Sequence, residues 1–125
     1  MSEKFYICEH CGNLVEMVEA SGVAMVCCGE KMKALVPNTT DASTEKHLPV
    51  IKYDDGKLTV DVSSTEHPMQ AAHYIKWIYV QTENGGQRKA LKPEDKPHAE
   101  FVLTDDAPKA VYAYCNIHGL WMSEL

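Results

Sequence analysis

Four cysteines in the first 28 residues, Cys8-x2-Cys11-x15-Cys27-Cys28, constrain this chain more than any other feature. Closely spaced pairs of this kind present two sulfurs each to one ion, and together they have the spacing of a tetrahedral thiolate metal site. Sulfur-only coordination suits iron or zinc, and spacing does not separate them. Adjacent Cys27 and Cys28 cannot both keep relaxed geometry around one ion, so a distorted tetrahedron is expected. The few apolar residues nearby (Leu14, Val15, Met17, Val18, Val23, Met25, Val26) cannot stabilise a fold alone, so this part should lean on its metal. A fifth cysteine, Cys115, stands three residues before His118 and belongs with histidines instead.

Charge narrows the partners. Lys+Arg 12 against Asp+Glu 18 gives a net charge of −6, which argues against nucleic acid. An anionic substrate would need a local cation to offset that field. Met1–Tyr6 is polar with no apolar run behind it, and no stretch approaches the roughly 20 apolar residues of a membrane span. The expected setting is the reducing cytoplasm, where thiols bind metals more often than they pair. Asn38-Thr39-Thr40 matches a glycosylation acceptor but reads as a turn there.

The sequence divides into a small metal-binding domain over 1–37 and a larger domain over 38–125, with Val36–Asp41 as the linker. Cys11-Gly12-Asn13 and Cys28-Gly29-Glu30 read as turns beside ligands. The remainder reads as all-β, with strands at 49–53, 57–62, 74–80, 87–91, 98–104, 110–115 and 120–124. Leu58, Val60 and Val62 alternate with polar residues, and Ile75, Trp77 and Tyr79 are expected on one face. Asp54-Asp55-Gly56 and Asn84-Gly85-Gly86 signal hairpins. Seven short strands with frequent turns point to an immunoglobulin-like β-sandwich. Helix is scarce, and 41–46 is the one candidate.

Strand parity then sorts the loops. If each strand reverses, the turns at 54–56, 84–86 and 105–109 share one end, and the loops at 63–73, 92–97 and 116–119 share the other. His47, His67, His73, Cys115 and His118 fall at this second end, as a metal site on a rigid scaffold would. Parity puts His98 there too and leaves it open as a ligand, while His10 is expected to be exposed. A site of four imidazoles and one thiolate suits a redox metal better than zinc, which favours four ligands. With the imidazoles in a plane and the thiolate axial, a sixth position stays open for a small molecule. Lys46 could supply the missing local cation. Met69, Met122, Trp77 and Trp121 read as packing residues, and Asp105 and Asp106 as a solvated turn.

At these residues the chain resembles the two-iron superoxide reductases, the desulfoferrodoxin family. The resemblance is carried by Cys8-Glu9-His10-Cys11-Gly12, Cys27-Cys28-Gly29 and Glu45-Lys46-His47-Leu48-Pro49-Val50. It continues through His67-Pro68-Met69, His73-Tyr74-Ile75-Lys76-Trp77-Ile78 and Tyr114-Cys115-Asn116-Ile117-His118-Gly119. It implies two iron ions per chain: a desulforedoxin-like iron held by Cys8, Cys11, Cys27 and Cys28, and a catalytic iron. The second would have His47, His67, His73 and His118 equatorial and Cys115 axial. Lys46 is implied to attract superoxide and order water for protonation, and Glu45 to take the sixth position in the ferric state. His98 and His10 match no ligand position. The resemblance further implies one-electron reduction of superoxide to hydrogen peroxide without dioxygen, an external donor such as rubredoxin, and a homodimer.

Two other classes compete. Cys115-x2-His118-x3-Met122 superficially matches the ligand loop of a cupredoxin-like electron carrier, but such a site needs two histidines and leaves others unexplained. A rubredoxin-like carrier or a zinc ribbon joined to an adaptor domain explains the first four cysteines and not the second cluster.

Overall fold

The strand periodicities are realised in the computed structural model, which describes residues 4–40 and 47–125. Backbone contacts divide the chain into two units, Met1–Val36 and Pro37–Leu125. The first holds five short strands: β1 (Phe5–Ile7), β2 (Leu14–Glu16), β3 (Val26–Cys27), β4 (Glu30–Lys31) and β5 (Lys33–Ala34). Strand β1 is central in a sheet of order β2-β1-β5, while β3 and β4 form a separate hairpin. Phe5, Cys8 and Met32 are buried, whereas Val18, Val23 and Val26 are exposed. So small an interior offsets little chain entropy, which gives weight to a metal cross-link.

The second unit is a seven-stranded β-sandwich. Its strands are β6 (Pro49–Asp54), β7 (Lys57–Val62), β8 (Ile75–Thr82), β9 (Gly86–Ala90), β10 (His98–Val102), β11 (Pro108–Cys115) and β12 (Gly119–Glu124). One sheet has the order β10-β7-β6 and the other β12-β11-β8-β9. The alternating Leu58, Val60 and Val62 of β7 point inward and pack with Ile78, Val80, Val111, Ala113 and Cys115. Asp55 and Gly56 make the β6–β7 turn with φ of 46° and 82°, a conformation that favours glycine.

One expectation fails. Ile75 does not share a face with Trp77 and Tyr79. Pairing steps from Tyr114↔Trp77 to Cys115↔Ile75, so Lys76 is an extra residue in β8. This bulge turns Ile75 into the core beside Cys115, while Trp77 and Tyr79 stay on the opposite face against Tyr114 and Tyr112. Strand β10 also stops at Val102, short of the expected 104, ahead of Asp105 at φ 51°.

The parity of the loops holds. At one end the Glu83 amide donates to the Ala107 carbonyl (3.0 Å), and the Asn84 amide to Asp106 Oδ1 (3.1 Å). Asp106 therefore ties two turns together in addition to facing solvent. At the other end the loop after β11 meets the loop before β8. No helix occurs among the described residues, and none is long and apolar enough to cross a membrane. The helix candidate 41–46 lies outside the described residues.

Candidate metal centres

In the first unit two tight turns bring four sulfurs together. The Cys8 amide donates to the Asn13 carbonyl (2.8 Å) and the Gly12 amide to the Cys8 carbonyl (2.9 Å), closing the Cys8–Asn13 turn. Cys28 takes φ 54° and Gly29 φ 78°, so the strain of adjacent ligands falls on the backbone at Cys28. Cys11 Sγ lies 3.6 Å from Cys27 Sγ, which is 4.0 Å from Cys28 Sγ, and all four sulfurs lie within 4.8 Å of one another. Sulfurs about 2.3 Å from a shared tetrahedral ion would be about 3.8 Å apart. The separations of 3.6 and 4.0 Å bracket that value.

The acid–base chemistry asks for a cation. The Cys11 amide, with a smaller contribution from that of His10, holds the Cys8 thiol down to about 6. Cys28 is pushed up to about 12 by the sulfurs of Cys11, Cys8 and Cys27 around it. One thiolate forms readily, and the last is disfavoured unless a positive ion offsets its neighbours. The residues fit a thiolate-bound metal.

In the second unit, His47 leads into β6, His67 and His73 lie in the β7–β8 loop, and Cys115 and His118 flank the β11–β12 turn. Their imidazoles form a closed ring. Neighbouring centroids are 4.7 Å (His47–His67), 4.8 Å (His67–His73), 5.0 Å (His73–His118) and 4.9 Å (His118–His47). His47, His67, His73 and Cys115 each offer one donor atom, all within 4.8 Å of one another. His118 Nδ1 completes the set, 3.1 Å from His47 Nε2 and 3.9 Å from Cys115 Sγ. Two nitrogens about 2.1 Å from one ion and at right angles would be about 3.0 Å apart. His47, His67 and Cys115 are buried, and His118 is exposed, so the centre lies at an open margin.

Local bonds fix the donors. His67 Nδ1 donates to the Pro68 carbonyl (2.8 Å), which leaves the Nε2 lone pair for an ion. The His118 amide donates to Cys115 Sγ (3.4 Å) and supports a thiolate there. His98, which parity left open, stands apart: Nδ1 meets Asp61 Oδ1 (2.8 Å) and Nε2 meets Glu100 Oε2 (3.1 Å). His10 pairs with Glu30 (3.1 Å). Glu45 and Lys46 lie outside the described residues.

Two residues near this centre escaped the sequence reading. Asn116 donates from Nδ2 to the Ala72 carbonyl (3.1 Å) and accepts at Oδ1 from the Tyr74 amide (2.9 Å), bracketing His73. Its place between Cys115 and His118 was the available signal, since a short amide there can bridge two loops. Trp121, read as packing, touches two of the imidazole-bearing residues.

Comparison with known proteins agrees with both centres. The Desulfoferrodoxin family profile matches residues 39–124, and the profile of the Desulfoferrodoxin N-terminal domain matches 2–35. A desulfoferrodoxin homolog from Archaeoglobus fulgidus is 50% identical over 118 residues, covering 94% of each chain. A desulfoferrodoxin from Nitratidesulfovibrio vulgaris is 44% identical, covering 97% of this chain and 95% of its own. The crystal structure of the superoxide reductase from Treponema pallidum superposes with a TM-score of 0.82 at 32% identity, covering 96% of both chains. The four-sulfur group and the imidazole–thiolate group match the two iron sites of this family. With both profiles matched across nearly the whole chain, the protein belongs to the desulfoferrodoxin family.

Proposed function

We propose that this chain is a superoxide reductase, an oxidoreductase that reduces superoxide by one electron to hydrogen peroxide. The observation that carries the reading is the closed ring of four imidazoles beside a buried cysteine sulfur, at one open end of a rigid sandwich. The likeness to the Treponema pallidum superoxide reductase supports it. A blue-copper electron carrier would use two imidazoles and leave two members of the ring unexplained.

His47, His67, His73, His118 and Cys115 would together hold the catalytic iron. Ferrous iron bound there would supply the electron that superoxide takes up. The Cys115 thiolate would give electron density to an ion held there, and the His118 amide would temper that donation through its bond to the sulfur. In a chain of net charge −6, Lys46 supplies the positive charge that draws in the anion and orders water for its protonation. Glu45 would serve as a further ligand to the iron once it is oxidised. The reaction consumes one superoxide, one electron and two protons and releases no dioxygen, so an external donor of the rubredoxin kind must restore the electron. Cys8, Cys11, Cys27 and Cys28 would hold the second iron within the 1–37 domain, and 38–125 forms the catalytic domain. The protein is expected to work as a homodimer in the cytoplasm.

Replacing Cys115→Ser tests this assignment. Superoxide reduction should be lost while the visible absorption of the four-cysteine iron stays unchanged. Retained reduction would remove the axial thiolate from the account.

A further inference from the structure

We propose that Trp121 is a positioning residue for the imidazole–thiolate centre, setting at once the ring plane of His47 and the turn that carries Cys115 and His118. The inference rests on the functional reading above and extends it beyond the ligand set. The indole lies parallel to the His47 imidazole, with centroids 4.4 Å apart and planes 11° apart. Its Nε1 donates to the His118 carbonyl at 3.2 Å. One side chain thus grips two members of the ring that are 71 residues apart in sequence.

Each contact controls a freedom that would blur the site. An imidazole turns easily about its Cβ–Cγ bond, because such torsions have broad wells. A flat partner stacked on its face fixes the plane, and hence the direction of the lone pair. The His118 carbonyl belongs to the short turn that aims His118 Nδ1 and places the His118 amide on Cys115 Sγ. An indole N–H on that carbonyl holds the turn against rotation, so it acts indirectly on the strength of the N–H···S bond. The Cys115 sulfur and the His118 nitrogen are therefore set together.

The indole is itself firmly held. Trp121 is 7% exposed. Its backbone pairs with Ala113 of β11 on one side and bridges Asn38 on the other. The Asn38 amide donates to the Leu120 carbonyl (2.9 Å) and the Met122 amide to the Asn38 carbonyl (3.0 Å), so the residues flanking Trp121 are bonded on both sides. Ser123 Oγ donates to the Pro49 carbonyl (2.8 Å), which ties β12 to the start of β6 just after His47. Strand β12 lies in one sheet and β6 in the other, so the indole spans the two layers at the end where the ligands converge. A residue needed only to fill space would not require both a parallel stack and a directed N–H bond.

The test compares wild-type full-length protein, loaded with iron, with Trp121→Phe and Trp121→Leu. Phe keeps a flat ring and loses the N–H; Leu loses both. Iron loss to a chelator and the thiolate-to-iron absorption of the oxidised protein are read together, with the four-cysteine absorption as internal control. Trp121→Leu should lose the histidine-bound iron about 10–100-fold more readily, the scale of lost outer contacts at metal sites. Trp121→Phe should fall between, its thiolate-to-iron band displaced and the four-cysteine band unmoved. An unshifted band in Trp121→Phe, or Trp121→Leu retaining iron as wild type does, overturns the proposal. Wild-type protein that takes up no iron outside the four cysteines would overturn the functional reading itself, and this inference with it.

Discussion

Asn116→Ala is the perturbation that separates a designed loop clasp from incidental contact. The side chain makes two bonds, Nδ2 to the Ala72 carbonyl at 3.1 Å and Oδ1 from the Tyr74 amide at 2.9 Å. An intramolecular hydrogen bond contributes about 0.5–1.5 kcal/mol net, and Asn116 is exposed, so water recovers part of it and about 1–2 kcal/mol in total is expected. For a unit of this size each kcal/mol moves the midpoint of thermal unfolding by about 4–8 °C, so a fall of at least ~4 °C should follow. His73 lies between the two bonded residues, so iron should also be lost more readily to a chelator. Asn116→Asp sharpens the test: the shape and acceptor survive, but an oxygen now faces the Ala72 carbonyl, and the defect should be as large as in Ala. Circular dichroism melts and iron retention supply both readings. An Asn116→Ala protein with wild-type melting and wild-type iron retention would refute the reasoning.

Other perturbations follow from the same account. Lys46→Ala should slow superoxide capture about tenfold, the low end of electrostatic steering, and flatten its dependence on ionic strength; an unchanged rate constant in pulse radiolysis would remove Lys46 from the mechanism. Glu45→Ala should turn over normally but change the absorption of the oxidised centre, and an identical spectrum would count against sixth-site ligation. His98 is held above its ordinary pKa by its bond to Asp61 and then by Glu100, which also pairs with Lys57. That raised value contributes stability in full below the unfolded pKa of about 6.5 and loses it as pH rises through the folded value. His98→Gln should therefore cost more stability at pH 5.5 than at pH 8.5 in urea melts, and an equal cost at both would contradict the ion-pair role.

Much of this molecule is legible in the sequence because two simple periods carry it. Leu58, Val60 and Val62 alternate, and all three are buried where that alternation puts them. Reversal of direction at each turn then suffices to gather His47, His67, His73, Cys115 and His118 at one end. The inward turn of Ile75 was not legible, since one extra residue in β8 leaves no mark in composition: Lys76 suits an exposed strand position with or without a bulge. His98 shared the correct end, and parity alone could not separate it; the family resemblance gave it no ligand position, and its bonds to Asp61, far away in sequence, and Glu100 show what it does instead. Trp121 looked like packing because its stack depends on His47, which leads into the other sheet, and its N–H bond on how the β11–β12 turn folds. Asn116 needed the approach of the loop before β8 to acquire a role.

The central claim is a stoichiometry. Fully reduced iron-loaded protein, in excess, is mixed rapidly with superoxide while hydrogen peroxide and dioxygen are both measured. The account predicts one hydrogen peroxide for each superoxide consumed and no dioxygen. Half a peroxide per superoxide, with dioxygen released, would mean disproportionation and would contradict it.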